Sequence, residues 1–538
     1  MGWHPGTLDS REARGSETMT TIASPLAKTT VAAPRKPRSS DLMRVIAEIE
    51  STFPVDAWSV DGIELWPLLR IRWFFAEWAR LYPGGAATSS PSPGGRMRAF
   101  LHGAGEASRA RRNDAAGNDS PTARRDVVFL SDGLSFARLG ESWVERFCDP
   151  LIRAAKRHGA TSALWTPGHA YHVPRLTPSV FVQAAIDRAN VSGVVHSRFA
   201  AGAAKRLPER ARVCEHVRSR GFADAAFSPS AIASDACRLR TVSAEFGRRL
   251  DATRPRLAFV VSYYSLEAMA FVHACRLRGI PVVDIQHGVQ GEFHPGYAAL
   301  PSGAAHALLP DRFWVWSEWE RSIIDKWASG SGHAAVIGGN PWLDLWRGDA
   351  EWPGTREAIA AGARLREHAG SRPVVLVTLQ FGLSDEHLEP LRRLIARAGD
   401  RLSFWLRLHP LMMVRREEIR AALAGAGAVE LDAASDLPLH ALLPLCDVHM
   451  THSSSTVIEA AQCAVPSLIT SDYGAEFFTT IVESGGAVVE TGDTAAVEAA
   501  IFRLLRGRVR LPFTPSQTDA TMASLLAATS RDSDRPAA

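Results

Sequence analysis

Three short polar runs stand where apolar runs stop, and their residue types suit the handling of a phosphorylated ligand. In VVDIQHGV, Gln286, His287 and Gly288 follow an apolar stretch directly, with Glu292 and His294 a few residues on. A glycine there lets backbone approach a ligand, and a histidine serves as general base or phosphate partner. In FWLRLHPL, Arg407 and His409 alternate onto one face of a strand that Pro410 ends. The planar fork of an arginine gives phosphate oxygens bidentate hydrogen bonds. In THSSSTVIEAAQC, Thr451 to Ser455 form a hydroxyl-rich turn into a helix. Free N–H groups and the positive dipole end of that helix, with the hydroxyls of Ser453, Ser454 and Ser455, make an anion site. Glu459, on the first turns beyond it, is placed to reach a ribose hydroxyl. Each run also has a plainer explanation. Serine and threonine are good helix N-caps, many strand-ending loops hold an HP pair, and His287 could be a satisfied buried histidine.

The elements that must position these runs follow a βαβ rhythm, short apolar stretches alternating with amphipathic helices, which marks parallel sheets. Strands are expected at Asp126 to Ser131, Thr161 to Pro167, Arg256 to Ser262, Ile280 to Gly288, Phe313 to Ser317 and Ala334 to Pro341, with helices at Trp143 to Arg157 and Leu266 to Gly279. A second unit has strands at Pro373 to Gln380, Leu402 to Pro410, Ala428 to Asp432, Asp447 to Ser455, Pro466 to Thr470 and Ala487 to Glu490. In such sheets ligands bind beyond the strand carboxyl ends. All three polar runs therefore fall where one cleft would gather them.

The expected organisation is a disordered tail over 1–40, an aromatic helical arm and basic linker over 41–125, an acceptor-side Rossmann-like domain over 126–346, a donor-side one over 347–512 and a loose tail over 513–538. The block from Trp58 to Tyr82 holds four of the 15 tryptophans, and its apolar residues crowd more than one side of a helix. It reads as a docking helix, with a lipid interface as the alternative. Arg96 to Arg125 carries seven basic residues against three acidic, a balance that suits anionic headgroups or a solvated linker. A formal charge of +4 over 538 residues gives no nucleic-acid footprint. The six cysteines show no metal or disulfide spacing, and no run approaches the ~20 apolar residues of a membrane span. A cytoplasmic protein, peripheral at the membrane face at most, is the expectation.

QHG, GNPWLD (Gly339 to Asp344), RLHP and D-V-x-x-T-H-S-S-S-T-V-I-E-A followed by A-V-P-S together resemble GT-B-type glycosyltransferases of bacterial capsule and surface-polysaccharide synthesis. The nearest kinds are polysialyltransferase-like and Kdo transferase-like enzymes and the CDP-glycerol glycerophosphotransferases. The resemblance spans roughly Asp126 to Leu505. It implies two facing Rossmann-like domains, no metal or other cofactor, and a CMP-, CDP- or UDP-linked donor held by the C-terminal domain. His409 and Ser453 to Ser455 would contact donor phosphate, Glu459 the ribose, with Arg407 nearby, and His287 would face the reacting centre. The acidic D/E-D-G motif that supplies the base in capsule sialyltransferases has no match; Asp132-Gly133 comes nearest. Candidate bases are therefore His287, Asp132, Glu292 and His294, in that order.

The function expected is sugar transfer from a nucleotide donor to a saccharide or lipid-linked acceptor. The alternatives are a CDP-glycerol-type phosphotransferase, a nucleotide-sugar epimerase or hydrolase, and a non-catalytic component of polysaccharide assembly.

Overall fold

The structure is a computed structural model that describes residues 37–81, 123–168, 174–301, 306–347, 352–380, 385–427, 429–507 and 516–532. The tail up to residue 36, the Gly/Ser/Pro-rich run after Tyr82 and the basic segment up to residue 122 lie outside the described residues.

Seven strands form the first sheet: β1 (Val127–Leu130), β2 (Ser162–Thr166), β3 (Ser179–Phe181), β4 (Leu257–Val261), β5 (Val282–Ile285), β6 (Arg312–Val315) and β7 (Ala334–Ile337). Their spatial order is β7-β6-β5-β4-β1-β2-β3, and every pairing is parallel. Six strands form the second: β8 (Val374–Thr378), β9 (Ser403–Arg407), β10 (Val429–Glu430), β11 (Val448–Thr451), β12 (Ser467–Ile469) and β13 (Ala487–Val489). Their order, β10-β9-β8-β11-β12-β13, is again parallel throughout. Each sheet runs outward from a central strand and then restarts on its other side, so a crevice opens at β1/β4 and at β8/β11. The central strands β1, β4 and β8 are buried along their whole length, as helices on both faces require. This is the GT-B-type pair of Rossmann-like domains.

The two units share apolar surface. One continuous cluster joins Val127, Phe259 and Ile285 of the first sheet to Val457, Ile469 and Phe478 of the second.

The arm consists of α1 (Ser39–Thr52), a two-residue hairpin and α2 (Trp66–Leu81). Trp58, Trp66 and Trp73 are 0%, 1% and 1% exposed and gather around Phe227 with centroids 6.1–6.2 Å away. Their indole N–H groups donate to Pro208 O, Glu50 and Ala223 O. The block is therefore a docking element sunk in the body; the lipid-interface alternative fails because these faces are already covered. Among the described residues no helix is long and apolar enough to cross a membrane.

Two elements depart from expectation. Ser142–Glu145 is a strand paired antiparallel with Phe136–Leu139, and only Cys148–Arg157 (α3) is helical. The turn between those strands needs Gly140 at φ 58°, and Gly354 closes on it so tightly that a Cβ there would lie 2.1 Å from Gly140 N. The second departure is at the C-terminus, where Thr518–Asp532 forms a helix in place of a loose tail. Two further long helices, α4 (Gln183–Lys205) and α5 (Pro229–Thr253), pack on each other, with Gly193 against the backbone of Arg238.

Candidate functional site

The strand ends of the two sheets meet. A Cβ on Gly288, just past β5, would lie 3.7 Å from Cβ of Ser455 in the turn after β11, and one on Gly291 would lie 3.4 Å from Phe477 O. The QHG run and the serine run are therefore in contact across the two units, with no side chain at residue 288 between them.

On the first-sheet side, β4 is followed by Ser262, a non-glycine residue at φ 62°. Backbone strain of this kind concentrates at sites where geometry is over-determined. It sets Tyr263 N–H onto the Asp284 carboxylate at 3.0 Å and the Tyr264 hydroxyl 3.0 Å from His287 Nε2. Nδ1 of His287 is buried with no hydrogen-bond partner among the described residues. Burial holds His287 below the ordinary histidine value; the Asp132 charge acts against that, and the Arg146 charge adds to it. Asp284 accepts from Tyr297 Oη as well, at 2.9 Å, and burial pushes it up to about 8.

Asp132 caps its own turn: Oδ1 accepts from Leu134 N (2.8 Å) and Ser135 N (2.9 Å), and Oδ2 from Ser135 Oγ (2.6 Å). Gln286 is structural, donating to Gly288 O (2.9 Å) and Glu320 (3.0 Å) and accepting from Trp316 N (2.7 Å). Two of the four candidate bases are displaced by the geometry. Glu292 is exposed and takes Lys326 Nζ at 2.8 Å, so its carboxylate serves a surface ion pair. His294 is buried among Phe75, Tyr264 and Tyr297, its Nδ1 accepts from Gly296 N at 3.1 Å, and burial drives it down to about 3. A ring that stays neutral to that pH is too weak a base for proton abstraction near neutrality.

On the second-sheet side, Arg407 spends Nη1 on Ala434 O (2.8 Å) and Leu437 O (2.5 Å). Burial first, and then the nearby Arg146 charge, lower it to about 10, so it remains a cation at neutral pH. Nδ1 of His409 accepts from Leu411 N at 3.2 Å, and burial with the Arg146 charge holds the ring below the ordinary histidine value. In the serine turn Ser454 acts as a local cap: its N–H donates to Thr451 Oγ1 and its Oγ accepts from Thr456 N, both at 3.2 Å. Ser453 Oγ lies 3.2 Å from His452 Nδ1. The helix that follows, α6 (Thr456–Gln462), is only two turns long.

Glu459 is 9% exposed, with Oε1 3.0 Å from His440 Nε2. Burial alone would raise its carboxyl, yet His440, Arg146 and Arg407 hold it below the usual carboxylate value. His440 is itself stacked on Trp346 and edge-on to Trp342, both from the helix that GNPWLD opens. Asn340 of that motif donates to Gln462 at 3.3 Å. The familiar GNPWLD run thus braces the partner of Glu459.

Arg146 is the residue the motifs did not point to. It follows the Ser142–Glu145 strand, and its guanidinium sits 5.3 Å from the Phe147 ring centroid, while that ring packs edge-on to His287 at 6.3 Å. Its Nε is buried without a hydrogen-bond partner among the described residues. Its charge acts on His287 from the first unit and on Arg407, His409 and Glu459 from the second. Next to it, Glu145 accepts from Phe147 N (3.0 Å) and from Cys148 N, and burial with the Asp132 charge pushes it up to about 8. That carboxyl is thus largely protonated at neutral pH, so the carboxylate that the Arg146 charge acts on is Glu459. Gln290, between the two glycines that touch the second unit, is fully buried with neither amide atom hydrogen-bonded among the described residues.

No family model matches the chain, and no curated protein does. Among solved structures it is similar to the UDP-GlcNAc 2-epimerase of Neisseria meningitidis bound to UDP-GlcNAc, at 13% identity and TM-score 0.45 over 76% of this chain and 99% of the other. It is similar also to the UDP-GlcNAc 2-epimerase of Methanocaldococcus jannaschii in complex with UDP-GlcNAc and UDP, at 11% and 0.43 over 75% and 99%. A spinosyn rhamnosyltransferase matches at 13% and 0.37 over 74% and 96%. These are likenesses of layout alone.

Proposed function

We propose that the chain is a glycosyltransferase that moves a sugar from a nucleotide-activated donor to a saccharide or lipid-linked acceptor. The observation that carries this reading is the set of buried polar groups without partners where the two sheets' strand ends meet: His287 Nδ1, the Gln290 amide and Arg146 Nε. Leaving such a group unsatisfied costs about 1–3 kcal/mol, so the arrangement suits a ligand that supplies the missing partners.

Arg146 and His409 take the donor phosphates, Arg407 adds its fixed charge, and Glu459, held ionised beside His440, takes a ribose hydroxyl. With Nε2–H donating to the Tyr264 oxygen, Nδ1 of His287 is the open base for the acceptor hydroxyl. Burial pushes Tyr264 up to about 12, so it keeps its own proton. As the bond to the nucleotide breaks, Arg146 and His409 stabilise the charge gathering on phosphate. A lipid-linked acceptor in surface-polysaccharide synthesis would bring the protein to the cytoplasmic membrane face.

The test begins with thermal stabilisation by CMP, CDP, UDP, GDP and TDP, since a ligand selective for the native chain raises its apparent stability. A selective shift that Arg146→Gln removes supports the site; CMP or CDP favours a capsule or teichoic-type donor, UDP or GDP a hexosyl donor. No shift with any of the five, at about millimolar concentration, overturns the reading. The matching nucleotide sugar is then incubated alone. Conversion of the sugar to its epimer with the nucleotide still attached would replace transfer by epimerisation, and nucleotide release without any saccharide would replace it by hydrolysis, on the same residues.

A further inference from the structure

The arm touches both halves of the candidate site. It is anchored to the first unit by the Arg72–Asp235 ion pair and by fully buried Arg70, whose Nη2 donates to Ala298 O (3.3 Å) and Ala299 O (3.2 Å). From there it reaches the second unit. The backbone N–H groups of Ser39 and Ser40, which open α1, donate to the Glu476 carboxylate at 3.2 and 2.8 Å. Near the end of α2, the Trp78 ring lies 5.6 Å from Tyr473.

Glu476 and Tyr473 both belong to α7 (Asp472–Phe477), which buttresses the serine turn. Ser471 Oγ, at its N-cap, donates to His452 O at 2.6 Å, and a Cβ on Gly474 would lie 2.2 Å from that same carbonyl. So α7 has no room to move without carrying the turn with it. Three residues before Trp78, on the same face of α2, Phe75 stacks on Tyr264 (5.8 Å, 26°), the residue hydrogen-bonded to His287.

We propose that the arm is an interdomain clasp: through Glu476 and Trp78 it holds α7 and the serine turn, through Phe75 and Tyr264 it holds His287, and the two halves of the site stay in register only while it is seated. What the cleft binds rests on the functional reading above; the clasp itself is testable without a ligand.

Glu476 touches none of the proposed binding residues, so Glu476→Ala in the full chain isolates the clasp. Hydrogen–deuterium exchange read by peptide should quicken about tenfold or more over 39–50, a ratio equal to one power of ten in the opening constant. Peptides 286–291 and 452–462 should quicken with it. Phe75→Ala should quicken 286–291 more than 452–462, because it severs only the Tyr264 branch. Quickening confined to 39–50, or no quickening there at all, would overturn the clasp. Nucleotide affinity, measured with whichever of the five nucleotides stabilises the wild type, should weaken several-fold in Glu476→Ala. A wild type that binds none of them counts against the functional reading alone, and the exchange data still decide the clasp.

Discussion

Arg146 is the residue on which the electrostatics of the cleft turn. Its charge acts on four titratable groups of the two units, and its Nε is buried without a hydrogen-bond partner among the described residues, which on the proposed reading suits an anionic ligand. Arg146→Gln should weaken nucleotide binding about 10- to 100-fold, the size of a lost charge-assisted contact of roughly 1.5–3 kcal/mol. Its melting temperature should stay level or rise, since the change removes a half-buried guanidinium whose Nε has no hydrogen-bond partner among the described residues; titration calorimetry and a thermal melt read the two effects. His409 gives the pH counterpart. Its free-state value lies below the ordinary one, and a bound phosphate would favour the charged ring. Affinity should therefore climb as pH falls from 8 towards 6, by tenfold per unit at most, and His409→Asn should flatten the profile. His287, His409, the serine run and Glu459 stand out in the sequence as candidates because each ends an apolar strand or starts the helix after one, and the structure places them at those strand ends. Arg146 does not: it stands on an inserted hairpin, and nothing in ESWVERFCD sets it apart from the arginines of an amphipathic helix.

At the scale of elements, strand ends were easier to read than what fills the space between them. The β1 and β4 runs, and β8 up to its last residue, are continuous apolar stretches, the mark of strands covered on both faces. The Ser142–Glu145 strand misreads as helix because its partner is local and its register depends on Gly140, not on a periodic pattern. The central strands also carry a cost visible only in three dimensions. His449 in β11 lies between Thr378 Oγ1 and Ser467 Oγ, each at 2.9 Å, and burial drives it down to about 3, as it does His294. Both rings must stay neutral in the folded chain, whereas the unfolded chain protonates them near the ordinary 6.5. Their contribution to stability is whole above pH 6.5 and is lost as the pH falls from there towards 3. At pH 5 each should cost about 2 kcal/mol relative to pH 7, seen in denaturant unfolding at the two pH values. His449→Gln, which keeps two polar atoms but cannot titrate, should remove its share of that loss.

At the scale of the whole molecule, the last described helix does not pack in the unit that holds the last described strand. The helix Thr518–Asp532 (α8) returns to the first unit and packs on α3. Met522 and Leu526, 0% and 5% exposed, enter the apolar cluster that also holds Phe147, Leu151 and Ala155. Arg157 Nη2 pairs with Asp519 at 2.7 Å, and Arg256 Nη1 donates to Leu526 O at 2.7 Å. The sequence hid this helix because ATMASLLAATS is small-residue and weakly amphipathic, so nothing marks it as core until α3 is beside it. Since that cluster joins the two units, α8 stabilises their union as well as the first sheet. Met522→Ala should lower unfolding free energy by about 2–5 kcal/mol, the usual range for emptying a buried methionine site, with Arg157→Ala at the exposed ion pair costing under about 1 kcal/mol. Denaturant unfolding of both variants checks the contrast. Equal, small losses would mean that α8 merely rests on the surface, and a loss in Met522→Ala accompanied by a separate early transition of the second unit would show that α8 holds the two units together.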